Sequence, residues 1–141
     1  MSDNNKKVVL RWEEQFKNAA NVAITDELMA ADFVHTLPFP GLPPGRDGLK
    51  AAGQGIFASF AHESLKVTVE QCLAFDDRVL TRTRVVAKHT GEWLGIPATG
   101  KTVGWTELTL YRLRDGKIVE ITEYNDSALC ERVLGTFTAS E

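Results

Sequence analysis

From Lys6 to Ala20, apolar residues recur four apart at Val8 or Val9, Trp12, Phe16 and Ala20, with Arg11, Glu13, Glu14 and Lys17 between them. That spacing predicts an amphipathic helix with one apolar stripe. A second, short helix is expected in AITDELMAADF, where Thr25 or Asp26 can cap a turn carrying Leu28 and Met29 before Phe33, Val34 and His35 become extended. The segment Leu37 to Gly45 holds four of the five prolines, which excludes a helix and predicts a stiff loop. Helical spacing resumes from Arg46 to Phe60 through Leu49, Ile56, Phe57 and Phe60.

Beyond Ser64 the period changes from four to two. LKVTVEQCLAF, RVLTRTRVVAKH, KTVGWTELTLYRL and KIVEITEYN are four β-rich runs, separated by Asp-Asp, by a Gly/Pro loop (HTGEWLGIPATGK, His89 to Lys101) and by Asp-Gly. Asp126 stands where it can N-cap a last short helix through Leu134. Helices followed by a meander predict an α+β fold, with helices covering one face of a curved, mostly antiparallel sheet in a single domain over 1–141.

Strand alternation sorts the candidate chemistry. A two-residue turn at Asp115-Gly116 would set Leu108 opposite Glu123, whereas a three-residue loop would set Glu107 opposite Glu123. The second register is preferred, because it gathers Trp105, Glu107, Thr109 and Tyr111 with Val119, Ile121, Glu123 and Asn125 on one face, an apolar wall with few polar groups. Two carboxylates side by side in such a wall cannot both ionise cheaply, so one would hold its proton near neutral pH. Arg82 and Arg84 share a face with each other and could neutralise that site or steady a developing enolate. The competing arrangement is a solvated cross-strand ladder of Glu107, Glu123, Arg82 and Arg84 on the outer face. Trp12, Trp105, Tyr111, Ile121, Asn125, Phe57 and Arg84 are the expected substrate-binding residues. His89 is expected to hold the Gly/Pro loop, and His62 to lie on the surface.

Composition narrows the function. The chain has 141 residues, 43% hydrophobic and 25% charged, with a net charge of −3, ordinary for a globular protein and poor for a polyanion binder. No basic run, Gly-rich phosphate loop, Gly-x-Ser-x-Gly elbow or metal-ligand spacing of His and Cys stands out. Nucleic acid, membrane and metal are therefore not expected, and a charge-interrupted start leads to the expectation of a cytoplasmic protein. Cys72 and Cys130 are expected to be unpaired and packed.

The DFVH at Asp32 to His35, GRDG at Gly45 to Gly48, Arg82, the HTGEWLGIPATGK loop, DGKI at Asp115 to Ile118, and Asp126 with Leu134-Gly135 together resemble the SnoaL-like polyketide cyclases. The resemblance covers roughly Val8 to Gly135. It departs at Thr122, where the family often has Trp. It implies a cone of curved sheet and three helices, often a homodimer, working without a cofactor on a small apolar carbonyl compound by acid/base cyclisation or isomerisation. It aligns Glu123 with the superfamily's last-strand acid, His35 with a cavity histidine and Asp126 with the closing Asp. Relatives on the same fold include limonene epoxide hydrolases, whose Asp-Arg-Asp group would fall on Arg82, Arg84 and Glu123 with Arg in place of the middle Asp, and non-catalytic transport factors. Epoxide hydrolysis and simple ligand binding therefore stay open as alternatives.

Overall fold

The computed structural model describes residues 2–36, 41–93 and 95–125. Three helices precede most of the sheet: α1 (Ser2–Trp12), α2 (Ile24–Leu28) and α3 (Gly45–Ser59). The first helix does not stop at Trp12 but widens into a π-helical turn over Glu13–Asn18. The apolar stripe read from the sequence is the buried one, with Val9, Trp12 and Phe16 all inside. The expected cap of α2 is corrected. Thr25 lies within the helix and donates its hydroxyl back to the Val22 carbonyl at 2.8 Å, while Asp26 pairs with Lys50.

Strand β1 (Met29–His35) joins β2 (Lys66–Phe75), β3 (Arg78–Lys88), β4 (Thr102–Arg114) and β5 (Lys117–Asn125) in one sheet of order β1-β5-β4-β3-β2. β1 runs parallel to β5, and the remaining pairs are antiparallel. The fold is therefore the α+β architecture expected, with one parallel edge. Of the proline loop, Gly41 to Pro44 are described and none is helical. The proposed terminal helix and Cys130 lie outside the described residues, and Cys72 is free and half-buried.

The hairpin of β4 and β5 departs from both registers considered above. Asp115 and Gly116 take positive φ values of 52° and 76° and form a two-residue turn, pairing Arg114 with Lys117. Val119 is then an extra residue, a bulge that shifts the ladder by one. Thr109 therefore faces Glu123, and Glu107 faces Asn125. Since the turn and the bulge together preserve parity, Glu107, Thr109, Tyr111, Ile121, Glu123 and Asn125 still share one face. The two acids are diagonal neighbours rather than directly opposed.

Burial in β3 alternates strictly, with Val79, Thr81, Thr83, Val85 and Ala87 inside. Two apolar clusters form on that inner face. One packs Val9, Trp12 and Phe16 with Ile24, Leu28, Tyr111 and Ile121, and the other packs Phe60 and Leu65 with Val85, Ala87, Val103 and Trp105. The loop after β3 packs on the second cluster through Trp93 and Ile96. His89 is fully buried, its Nδ1 accepts from the Thr99 amide at 3.3 Å, and its ring packs on Phe60. An added Cβ at Gly91 would stand 2.2 Å from the Ala58 carbonyl, so only glycine lets the loop lie against the end of α3. This is the loop-holding role expected of His89. His62 is exposed, as expected, and reaches the Asn18 carbonyl.

Candidate active site

A cavity of about 540 Å³ opens where the two apolar clusters fail to meet. Its walls are Trp12, Phe16, Leu49, Ile56, Phe57, Leu65, Val67, Val85, Trp93 and Trp105. Among the described residues, the charged side chains that enter it are Lys17, Glu92, Glu107 and Glu123. A largely apolar wall with a few convergent polar groups is the usual form of a small-molecule site.

The polar end of the cavity is organised by one ammonium. Lys17, on the π-helical turn, lies 2.6 Å from Glu107, 2.8 Å from Glu13 and 3.9 Å from Glu123. Its Nζ also sits 5.8 Å from the Trp12 ring centroid, within cation–π range. Glu107 is held at both oxygens, accepting from Lys17 and, at 3.0 Å, from the Trp105 indole N–H. Glu123 accepts weakly from the Thr109 hydroxyl at 3.4 Å. Behind the cavity, Glu13 accepts from the Tyr111 hydroxyl and, at 3.4 Å, from Thr81.

Three carboxylates around one cation cannot all ionise at ordinary cost. Burial, followed by the charge of Glu107, pushes Glu123 up to about 8, against the opposing pull of Lys17. Burial by itself would pull the Lys17 ammonium down, but Glu107, Glu13 and their neighbours outweigh it and hold it well above its usual value. Burial and the Glu13 charge push the Tyr111 phenol well up, so it remains a donor. At neutral pH the site is thus an ionised Lys17 and a largely protonated Glu123. Carboxyl-selective 13C NMR should find one glutamate titrating with a midpoint near 8 in place of the ordinary 4.5. If every glutamate titrates in the ordinary range, the buried acid is not there.

Of the residues expected at the site, the structure brings together Glu107, Glu123, Trp12, Trp105, Phe57 and Asn125, all on the cavity wall. Arg82 and Arg84 are corrected. They occupy outward positions of β3, where Arg82 pairs with Glu70 at 3.5 Å and Arg84 lies across Gly104 to reach Thr106 at 3.5 Å. Alternation is the reason, since Thr81, Thr83 and Val85 take the inward places. His35, at the end of β1 beside Ile121, does not line this cavity but an adjoining recess of about 140 Å³, which shares Leu42 and Leu49 with it. Tyr111 and Ile121 are packed within the apolar cluster behind the wall rather than on it. Asp126 lies outside the described residues.

Glu13 and Lys17 were not expected here, because both read as solvent-side positions of the first helix. A signal was present: they are four apart and each directly follows an aromatic of the buried stripe, Trp12 and Phe16. Such positions flank the apolar seam and turn inward when the stripe is wide. A π-helical turn, often found at functional sites, lies at this very segment.

Residues 7–134 match the family model described as SnoaL-like polyketide cyclase. Among solved structures, IdmH of Streptomyces antibioticus, provisionally assigned as a polyketide cyclase, is 30% identical with a TM-score of 0.79, covering 93% of this chain and 98% of its own. A Jannaschia sp. CCS1 protein with a provisional SnoaL-like polyketide cyclase assignment is 24% identical with a TM-score of 0.82, covering 98% and 95%. AclR of Streptomyces galilaeus, provisionally assigned as a hydroxylase, is 23% identical with a TM-score of 0.85, covering 100% and 87%. The last two likenesses carry the fold alone. No curated protein matches.

Proposed function

The chain belongs to the SnoaL-like polyketide cyclase family, and from that footing we propose that it is a cofactor-independent acid/base enzyme closing a ring in an apolar carbonyl compound. The observation that supports this reading is Glu123, a carboxyl of raised proton affinity on the wall of an aromatic-lined cavity. In its ionised form it is a stronger base than a solvated carboxylate and takes the proton from the carbon next to a carbonyl. The resulting enolate attacks a second carbonyl of the same molecule, forming a carbon–carbon bond and an alkoxide. Glu123, now neutral, returns the proton to that oxygen, so the net change is ring closure without loss of atoms. Glu107, fixed at both oxygens, keeps Glu123 basic, and Lys17 balances the charge as the proton moves.

Epoxide hydrolysis of the Asp-Arg-Asp type is disfavoured by the outward placement of Arg82 and Arg84. A homodimer is proposed through the outer sheet face, where Leu73, Phe75, Leu108 and Tyr124 are exposed.

The test is carbon acidity. In D2O, an apolar aryl methyl ketone such as 2-acetonaphthone should gain deuterium at its methyl group, at a rate that rises as pH passes through about 8 and Glu123 ionises. Exchange no faster than in buffer would leave a binding protein in place of an enzyme.

A further inference from the structure

Glu13 does no chemistry in the scheme above, yet it sits at the same ammonium. Its side chain is 1% exposed, against 17% for Glu123, and it does not line the cavity. A buried carboxylate is costly unless its oxygens are met. Here one oxygen takes the hydroxyls of Tyr111 and Thr81 and the other faces Lys17 at 2.8 Å. These partners come from β3, β4 and the helical turn, so the carboxylate is fixed from three elements. The same Lys17 serves Glu107 at 2.6 Å but stands 3.9 Å from Glu123. One cation is thus divided unequally among three acids, and Glu123 receives the smallest share.

We propose that Glu13 is a positioning residue: held by Tyr111 and Thr81, it draws the Lys17 ammonium back from Glu123 and so sets the charge that Glu123 meets at the cavity wall. Among the described residues, the groups facing Glu123 are Glu107, Thr109 and Tyr111 from β4, with Lys17 and Glu13 from the turn. Of these, Glu13 is the charge that can be removed without altering the cavity wall. The inference deepens the acid/base reading and rests on it for its effect on turnover, although its effect on Glu123 is read separately.

Glu13→Gln keeps the shape and removes the charge. The 13C midpoint of Glu123, assigned by its loss in Glu123→Gln, should fall from about 8 by at least about one unit, a tenfold change in proton affinity. The pH profile of deuterium exchange into 2-acetonaphthone should fall with it, with KM unchanged. Glu13→Asp, which keeps the charge, should hold the midpoint near its original value. Should Glu13→Gln fail to fold, Glu13→Met, of similar length and suited to a buried position, removes the charge in its place, and the midpoint should fall there too. A midpoint that stays at its original value in whichever of these variants folds overturns the proposal. A midpoint that moves while exchange does not follow would keep this role for Glu13 and remove Glu123 from the chemistry.

Discussion

Glu123→Gln lowers turnover by about 100- to 10,000-fold, the usual contribution of a positioned acid or base, and leaves the fold intact. The amide keeps the size of the side chain and can still accept from Thr109, but it can neither take a proton from carbon nor return one to oxygen. Stability supplies an independent readout. The folded-state affinity of Glu123 is raised from the ordinary 4.5 to about 8, so between those values the folded protein binds a proton that the unfolded chain releases. Its contribution is fully present below about 4.5 and is lost as pH rises through about 8. Melting curves should therefore show the wild type losing stability over that window, and Glu123→Gln should lose much less. A variant with full turnover, or with the pH dependence of the wild type, would remove Glu123 from the centre of the site.

Lys17→Met should be the most destabilising single change at the site. It leaves Glu13 and Glu107 facing each other in the interior without the cation that both contact within 2.8 Å. Breaking one side of a buried ion pair typically costs about 3–5 kcal/mol, because the remaining charge is uncompensated. The Lys17 ammonium is held above its ordinary 10.5, so its stabilisation is complete at neutral pH and would be lost only above the free value. Urea unfolding at pH 8 measures the loss. A loss below about 1 kcal/mol at pH 8, the scale of an exposed pair, would mean that Lys17 is solvated.

The elements were readable because each rests on a local period. Val9, Trp12 and Phe16 recur at helical spacing, and the four β-rich runs alternate between turns of Asp, Gly and Pro. The site was readable only in part. Alternation along β4 put Trp105 and Glu107 on one face, and along β5 it put Glu123 with Asn125, but it could not say whether those two faces coincide or which face of β3 joins them. Arg82 and Arg84 stand on its outer face, so neither is the cation beside the two acids. The cation is Lys17, which comes from 90 residues earlier in the chain than Glu107.

What the sequence determined by itself is what short-range sterics and periodicity govern: an α+β order, four antiparallel strands and a loop held by His89. What only the tertiary structure decided is the register set by the bulge at Val119 and the inward turn of Glu13 and Lys17. Both follow from packing between distant segments. A one-residue shift in a ladder and a widened helical turn cost little locally, so long-range packing of the first helix across β3 and β4 decides between the alternatives.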